Sequence, residues 1–348
     1  MNTKEPFSPA FFGKRPMEFC GIRVESPFFL APMAAITSLP FRLMCKKQGA
    51  GLVITEQINA TQIARNPDPF TNNEFFTIKT TAEEKPVGVQ LFGAVEKDFI
   101  AAVEAVEKDF EFININCGCP SHRETSIGAG AALLKEPEKI AGIVKAIAGV
   151  TEKPVTAKIR LGWSENKSVA IAKTIEKAGA DAIMVHGRTA SAGYSGKADW
   201  DAIGKIVKEL SIPVVANGDV NSGKAAQQML EVTGANFGMI GRCAMTNPYI
   251  FREIKAWFDE KVEWKPSARE KIGGFFNYLE ACEKYDMVKL TDLKLKAVQF
   301  TKGIEFTKQT RVELQAAQNL DEIKACLERF AAVLENESKI KEQMQAIN

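Results

Sequence analysis

Between Pro27 and Glu260 the chain alternates short apolar runs with longer amphipathic segments, and it does so eight times over. The runs are Phe28 to Met33, Leu52 to Thr55, Val87 to Phe92, Phe112 to Ile115, Val155 to Ile159, Ala182 to Val185, Val214 to Ala216 and Phe237 to Ile240. Each is too short for a helix and apolar almost throughout, which is the pattern of a strand buried on both faces. The intervening segments carry helical stripes such as Ile140, Ile143, Val144 and Ile147. Gly179 and Gly234 stand where helices must stop before the next strand. Strict strand–helix alternation places the chain in the α/β class, and eight units over this length predict a (β/α)8 TIM barrel. An open doubly wound sheet is the competitor. It usually carries a Gly-rich fingerprint after its first strand, and Ala31-Pro32-Met33-Ala34-Ala35 contains no glycine.

After Trp264 only helical signals remain. Ser267 to Glu270 reads as a capping box ahead of Ile272, Phe275, Phe276 and Leu279, and Asn319 with Glu322 repeats the signal ahead of Ile323, Leu327, Phe330 and Leu334. The expected division is a barrel over 1–262 and a small C-terminal helical bundle over 263–348, with the joint near Lys265-Pro266. Seven cysteines, an odd number without regular spacing, argue against a disulfide framework. With only His122 and His186 as histidines, no zinc set suggests itself and no metal is expected. Neither a signal peptide nor a membrane span is apparent, so a cytoplasmic protein is expected. A net charge of +2 means that any nucleic-acid contact must come from a local patch.

In a barrel of this kind chemistry collects where strands end. The ends supply Met33; Glu56 and Gln57; Gln90; Asn116 with Cys119; Lys158 with Arg160; His186 with Arg188; Asn217 with Asp219; and Gly241 with Arg242. Singly, each is explained by a cap or a loop contact. Together they are costly to bury unless a ligand satisfies them. Asn217-Gly218-Asp219 and Gly241-Arg242, at the seventh and eighth ends, suit a phosphate. A flavin mononucleotide would place its phosphate there and its ring over the mouth. Lys158 then suits the edge of the ring that gains negative charge on reduction, Gln90 can read the ring edge with its amide, and His186 is a candidate donor. Cys119 lies in the turn Asn116-Cys117-Gly118-Cys119-Pro120, directly after the fourth strand. As a bare observation this fits a buried small hydrophobe as well as a reactive thiol. Cys20, Cys45, Cys243, Cys282 and Cys326 are explained by packing.

The turn resembles the Asn-x-Gly-Cys-Pro signature of the tRNA-dihydrouridine synthases, flavoenzymes that reduce uracil in folded tRNA. Further stretches are similar to motifs of that family in the same order: Ala31-Pro32-Met33, Gln90 to Gly93, Lys158 to Trp163, Val185 to Thr189, Ala198 to Trp200, Asn217 to Asp219 and Gly241-Arg242. The resemblance runs from about Pro27 to Arg252, and the helical tail matches loosely. It implies FMN contacts from Met33, Gln90, Lys158, His186, Asn217, Asp219, Gly241 and Arg242, with Pro32 and Gly218 added from the same motifs. It implies Cys119 as the catalytic acid and Asn116 and Arg160 as substrate contacts. Arg188 and Tyr194, the latter in the loop Ala192 to Lys197, join the substrate set as candidates. NADPH as electron donor is carried by the resemblance alone.

The expected reaction is reduction of the 5,6 bond of specific tRNA uridines to dihydrouridine, with hydride from reduced flavin and a proton from Cys119. The target base must leave its stack to reach the mouth. From Lys289 to Arg311, six cations (Lys289, Lys294, Lys296, Lys302, Lys308, Arg311) against Asp292 and Glu305 give a local +4 that suits phosphate contact or a solvated helix face. Ribosomal RNA as the substrate, a flavin dehydrogenase or reductase of a free pyrimidine or other small molecule, and a non-catalytic RNA-binding barrel are the rivals. The sequence does not fix the oligomeric state, and a monomer is compatible with it.

Overall fold

The computed structural model describes residues 17–66, 77–305 and 307–347. Its centre is an eight-stranded parallel sheet made of β3 (Phe28–Leu30), β4 (Val53–Asn59), β5 (Val87–Phe92), β6 (Phe112–Cys117), β7 (Val155–Arg160), β8 (Ala182–His186), β9 (Val214–Asn217) and β10 (Phe237–Ile240). The strands lie in sequence order, with β10 returning to β3. A parallel bridge between Phe29 and Leu52 and the bonds Leu30 N–H to Leu52 O and Gly51 N–H to Phe28 O, both 2.9 Å, close β3 onto β4. The result is a (β/α)8 barrel whose strands agree with the eight apolar runs to within a few residues.

Fourteen helices surround and follow it among the described residues: α1 (Leu39–Lys47), α2 (Ala60–Ala64), α3 (Glu96–Val106), α4 (His122–Thr125), α5 (Pro137–Ala148), α6 (Ser168–Lys177), α7 (Trp200–Glu209), α8 (Gly223–Thr233), α9 (Arg242–Thr246), α10 (Ile250–Glu260), α11 (Ala268–Lys284), α12 (Leu290–Phe300), α13 (Thr307–Ala316) and α14 (Leu320–Ile347). Their ends follow local chemistry. Gly234 closes α8 in the left-handed conformation at φ +67°. Ser267 and Glu270 form the expected capping box on α11, and Asn319 Oδ1 accepts from Glu322 N–H at 2.9 Å to start α14.

One element was not anticipated. A hairpin of β1 (Met17–Phe19) and β2 (Ile22–Val24) stoppers the N-terminal end of the barrel. Phe19 is fully buried, with its ring 5.1 Å from Phe29, 6.2 Å from Phe112 and 5.2 Å from Phe237, residues from the opening positions of three barrel strands. The barrel interior is thus filled at one end by packed aromatic and aliphatic side chains, and its polar groups are displaced to the other.

The tail helices share the barrel's outer core. Phe41 and Met44 of α1 belong to the same buried cluster as Phe275, Tyr278 and Phe300. Lys296, one of the six cations counted toward the local +4, takes part in neither phosphate contact nor a solvated face: it is 0% exposed, with its ammonium 3.8 Å above the Phe41 ring. Its long stem fills the seam between α12 and α1, where a cation over an aromatic face is tolerated.

Candidate active site

The C-terminal mouth of the barrel opens into a cavity of about 690 Å³. Pro32, Met33, Gln90, Asn116, Cys119, Lys158, Arg160, His186, Tyr194, Asn217, Gly218, Asp219, Gly241 and Arg242 all line it. Fourteen residues spread over more than two hundred positions converge because every barrel strand delivers its last side chains to one rim.

The turn after β6 is built around Asn116. Its Oδ1 accepts the amides of Gly118 and Cys119, each at 3.0 Å, which fixes the cysteine above the strand end. Its Nδ2 donates to Gln57 Oε1 at 2.5 Å and Gln90 Oε1 at 3.0 Å. Gln90 Nε2 in turn donates to Asn114 Oδ1 at 2.6 Å, and Asn114 Nδ2 to Thr156 Oγ1 at 2.8 Å. This amide ladder locks the floor of the cavity, since each amide's orientation is dictated by the next. Burial raises the Cys119 thiol above its ordinary range. The Ser121 amide opposes that effect and Glu124 adds to it, with Cys119 Sγ 3.5 Å from Glu124 Oε2. The thiol is therefore in its protonated form at neutral pH, the form an acid requires.

Lys158 and Arg160 leave β7 in the same direction. Burial, helped by Arg160, pulls the Lys158 ammonium down to about 8. Its hydrogen-bond partner is Asn217 Oδ1 at 3.5 Å, and among the described residues no carboxylate pairs with it. Arg160 donates to the carbonyls of Gly118 at 2.9 Å, Thr189 at 3.0 Å and Gly193 at 2.7 Å, so it ties the cysteine turn to the loop after β8. From that loop Tyr194, 58% exposed, lays its ring 5.5 Å from the Arg160 guanidinium and 4.7 Å from that of Arg242.

Arg188 does not line the cavity. It is buried beneath it, donating to both oxygens of Asp219 at 2.9 and 2.7 Å and to the carbonyls of Ser195 and Gly196. Arg242 reaches the same Asp219 at 2.7 Å. Burial alone would raise the Asp219 carboxyl, and the Ala198 amide with Arg188 reverses this and holds it low. Asp219 accordingly aims Arg242 across the mouth. The adjoining Gly218, at φ +136°, has no room for a side chain, since a Cβ would come 2.6 Å from that of Ala198.

His186 is neutral. Burial and then the nearby cations, led by Lys158, take it down to about 2. Arg188 Nη1 lies 3.3 Å from His186 Nε2. A guanidinium only donates, so Nε2 accepts and the ring proton sits on Nδ1. On the opposite rim Glu56 Oε2 accepts the Ala35 amide at 2.5 Å, with Ala35 at φ +59°, and so shapes the Pro32-Met33 loop. Burial lifts the Glu56 carboxyl above its usual range.

Sequence reasoning noted Gln57 without giving it a role and passed over Glu124 altogether. Gln57 Nε2 donates to Glu124 Oε1 at 2.8 Å, and Glu124 is 3% exposed. The available signal was a carboxylate five residues beyond Cys119, in the helix that Ser121 caps.

A closed barrel with a protonated thiol, a locked amide floor and cations in excess at its C-terminal mouth defines a (β/α)8 enzyme suited to an anionic ligand and to proton transfer from sulfur. The chain matches the family model described as "Dihydrouridine synthase (Dus)" over residues 29–344. It is similar to "tRNA-dihydrouridine synthase B" of Pseudomonas syringae pv. tomato, at 38% identity over 235 residues, 67% of this chain and 68% of that protein. The protein of the same name from Klebsiella pneumoniae is 38% identical over 241 residues, covering 68% and 74%. A "Probable tRNA-dihydrouridine synthase" of Aquifex aeolicus is 32% identical over 301 residues, covering 84% and 92%. Among solved structures, histamine dehydrogenase from Rhizobium sp. 4-9 superposes with a TM-score of 0.51 at 14% identity over 78% of this chain and 51% of that one, a likeness of fold. The chain belongs to the dihydrouridine synthase family.

Proposed function

We propose that this enzyme reduces the 5,6 double bond of specific uridines in tRNA to dihydrouridine, using FMN and NADPH, with Cys119 as the acid. The observation that carries the reading is a thiol kept protonated at the rim of a cationic cavity, held there by the Asn116 amide ladder. The cavity fits FMN by its donor set. Lys158 and Arg160 lack carboxylate partners among the described residues, and Arg242 shares its one carboxylate, Asp219, with Arg188. Such a set needs an anion to balance it. Asn217, Gly218, Gly241 and Arg242 would hold the phosphate, His186 would offer its Nδ1 proton, and Lys158 and Gln90 would face the ring. Pro32 and Met33 would pack against the cofactor. Asp219 supports this set by fixing Arg242.

When bound, FMN supplies the hydride for C6 of the uracil. The remaining work falls to the chain. Cys119 gives its proton to C5, so that negative charge does not persist on the base. Asn116 and Arg160 orient the base, Tyr194 offers an aromatic face for stacking, and Arg188 keeps the supporting loop in place. An extruded base and its flanking phosphates would bring anionic charge to Arg160 and to exposed cations of the tail, with 263–348 acting as an RNA-binding unit.

Incubating the enzyme with NADPH and bulk tRNA from a strain lacking dihydrouridine, and quantifying the modified nucleoside by mass spectrometry, tests this directly. Cys119→Ala is expected to retain bound flavin and its reduction while losing product about 100-fold or more. Product from ribosomal RNA or free uridine in place of tRNA would overturn the substrate assignment and retain the chemistry.

A further inference from the structure

Cys119 stands between opposing charges. On one side are Lys158 and Arg160 of β7, whose positive charge reaches the sulfur, and two donors to it, the Ser121 amide and Gln57 Nε2 at 3.8 Å. Those neighbours favour a thiolate, the state of a cysteine nucleophile. On the other side is Glu124 of α4, whose Oε2 is 3.5 Å from Sγ. Its position is set by three elements. Gln57 at the end of β4 donates to Oε1 at 2.8 Å, and Gln57 itself is held by Asn116 of β6 at 2.5 Å. Behind the pair sits Gly130, where a Cβ would come 2.7 Å from the Cys119 carbonyl oxygen and 3.2 Å from the Glu124 Cβ. The Gln57 bond and a residue exposure of 3% leave the carboxylate little freedom to withdraw.

We propose that Glu124, anchored by Gln57, is a positioning residue that keeps Cys119 in its proton-bearing form against the cations of β7 and drives proton return to sulfur after each turnover. The inference rests on Cys119 being the acid. In the reaction the S–H bond breaks and a C5–H bond forms with the electron pair of the reduced base, and sulfur keeps the S–H pair as thiolate. A thiolate facing a buried carboxylate is disfavoured, so uptake of a proton from water restores the thiol. Without Glu124, the β7 cations would retain the thiolate and leave the enzyme without its proton. Dihydrouridine formation would then slow at alkaline pH first.

The test is the pH dependence of Cys119 alkylation by iodoacetamide in the flavin-loaded enzyme, followed on the Cys119 peptide by mass spectrometry. Glu124→Gln is expected to move the midpoint to lower pH by about one unit, the scale of removing a like charge at this range. Glu124→Asp keeps the charge and stays nearer the wild type. Gln57→Met is uninformative in this assay, because it removes both the anchor of the carboxylate and an N–H donor 3.8 Å from Sγ, two changes of opposite sign. If Glu124→Gln does not fold, Glu124→Met, which removes the charge at a similar side-chain length, decides. A wild-type midpoint in the variant that removes the charge overturns the proposal, as does an Asp variant displaced as far as that one. Wild-type product yield from Cys119→Ala overturns the acid assignment itself, whatever the alkylation profiles show.

Discussion

Lys158 shows how a single residue trades stability for a ligand. Its ammonium is half-buried at the mouth without a carboxylate partner among the described residues, and its folded value of about 8 lies below the ordinary 10.5. The unfolded chain therefore binds more protons between those values, and stability rises with pH across that window. Below about 8 both states are charged and the full cost is present. Lys158→Met is expected to raise the Tm of the ligand-free protein near pH 7 by about 2 °C or more, with the gain fading as pH approaches 10.5. The same variant should bind FMN more weakly, which thermal melts with and without the cofactor will separate. Residues of this kind were legible in the sequence because their placement depends only on the ends of strands. Glu124 was not, since its meaning lies in a contact with Gln57, 67 positions away, that exists only once β4, β5 and β6 are assembled in order in the barrel.

The barrel strands were readable as elements because parallel strands covered on both faces are apolar at nearly every position. The hairpin β1–β2 was overlooked although it carries its own signal. Met17, Phe19, Ile22 and Val24 flank a two-residue turn, and Cys20 and Gly21 adopt φ +51° and +79°, the pairing that tight hairpins demand. It escaped notice because it lies before the repeating pattern and forms a separate sheet. Its contribution is nonetheless large. Phe19→Ala would leave a void among Phe29, Phe112 and Phe237, and is expected to cost about 3–5 kcal/mol in chemical denaturation.

At the scale of the whole molecule, tail and barrel are joined by a shared core and by rim contacts such as Lys284 with Glu83. A close approach occurs at Gly274 of α11, where a Cβ would lie 2.5 Å from the Tyr249 hydroxyl and 3.1 Å from Met44 Cε. Gly274→Val is expected to lower stability by about 1–3 kcal/mol through overpacking of that seam, measurable as a fall in Tm. Deleting the tail would uncover Phe41 and Met44, so a truncated barrel that lost activity would say little about RNA. Charge reversal at exposed lysines such as Lys302 or Lys308 separates grip from folding. The helical tail was legible from its caps and stripes. The burial of Lys296 was not, because a lysine in a charged run and a lysine spanning an aromatic seam look alike until the partner helix is in place.

The aromatic stopper of β1–β2 makes the barrel, among the described residues, a vessel with one doorway at its C-terminal mouth. On the proposed function, whatever reduces the cofactor and whatever is reduced by it would enter through that same rim, above the same cysteine. A nicotinamide and an extruded base would then compete for the approach to the ring, and the two halves of the cycle would take turns.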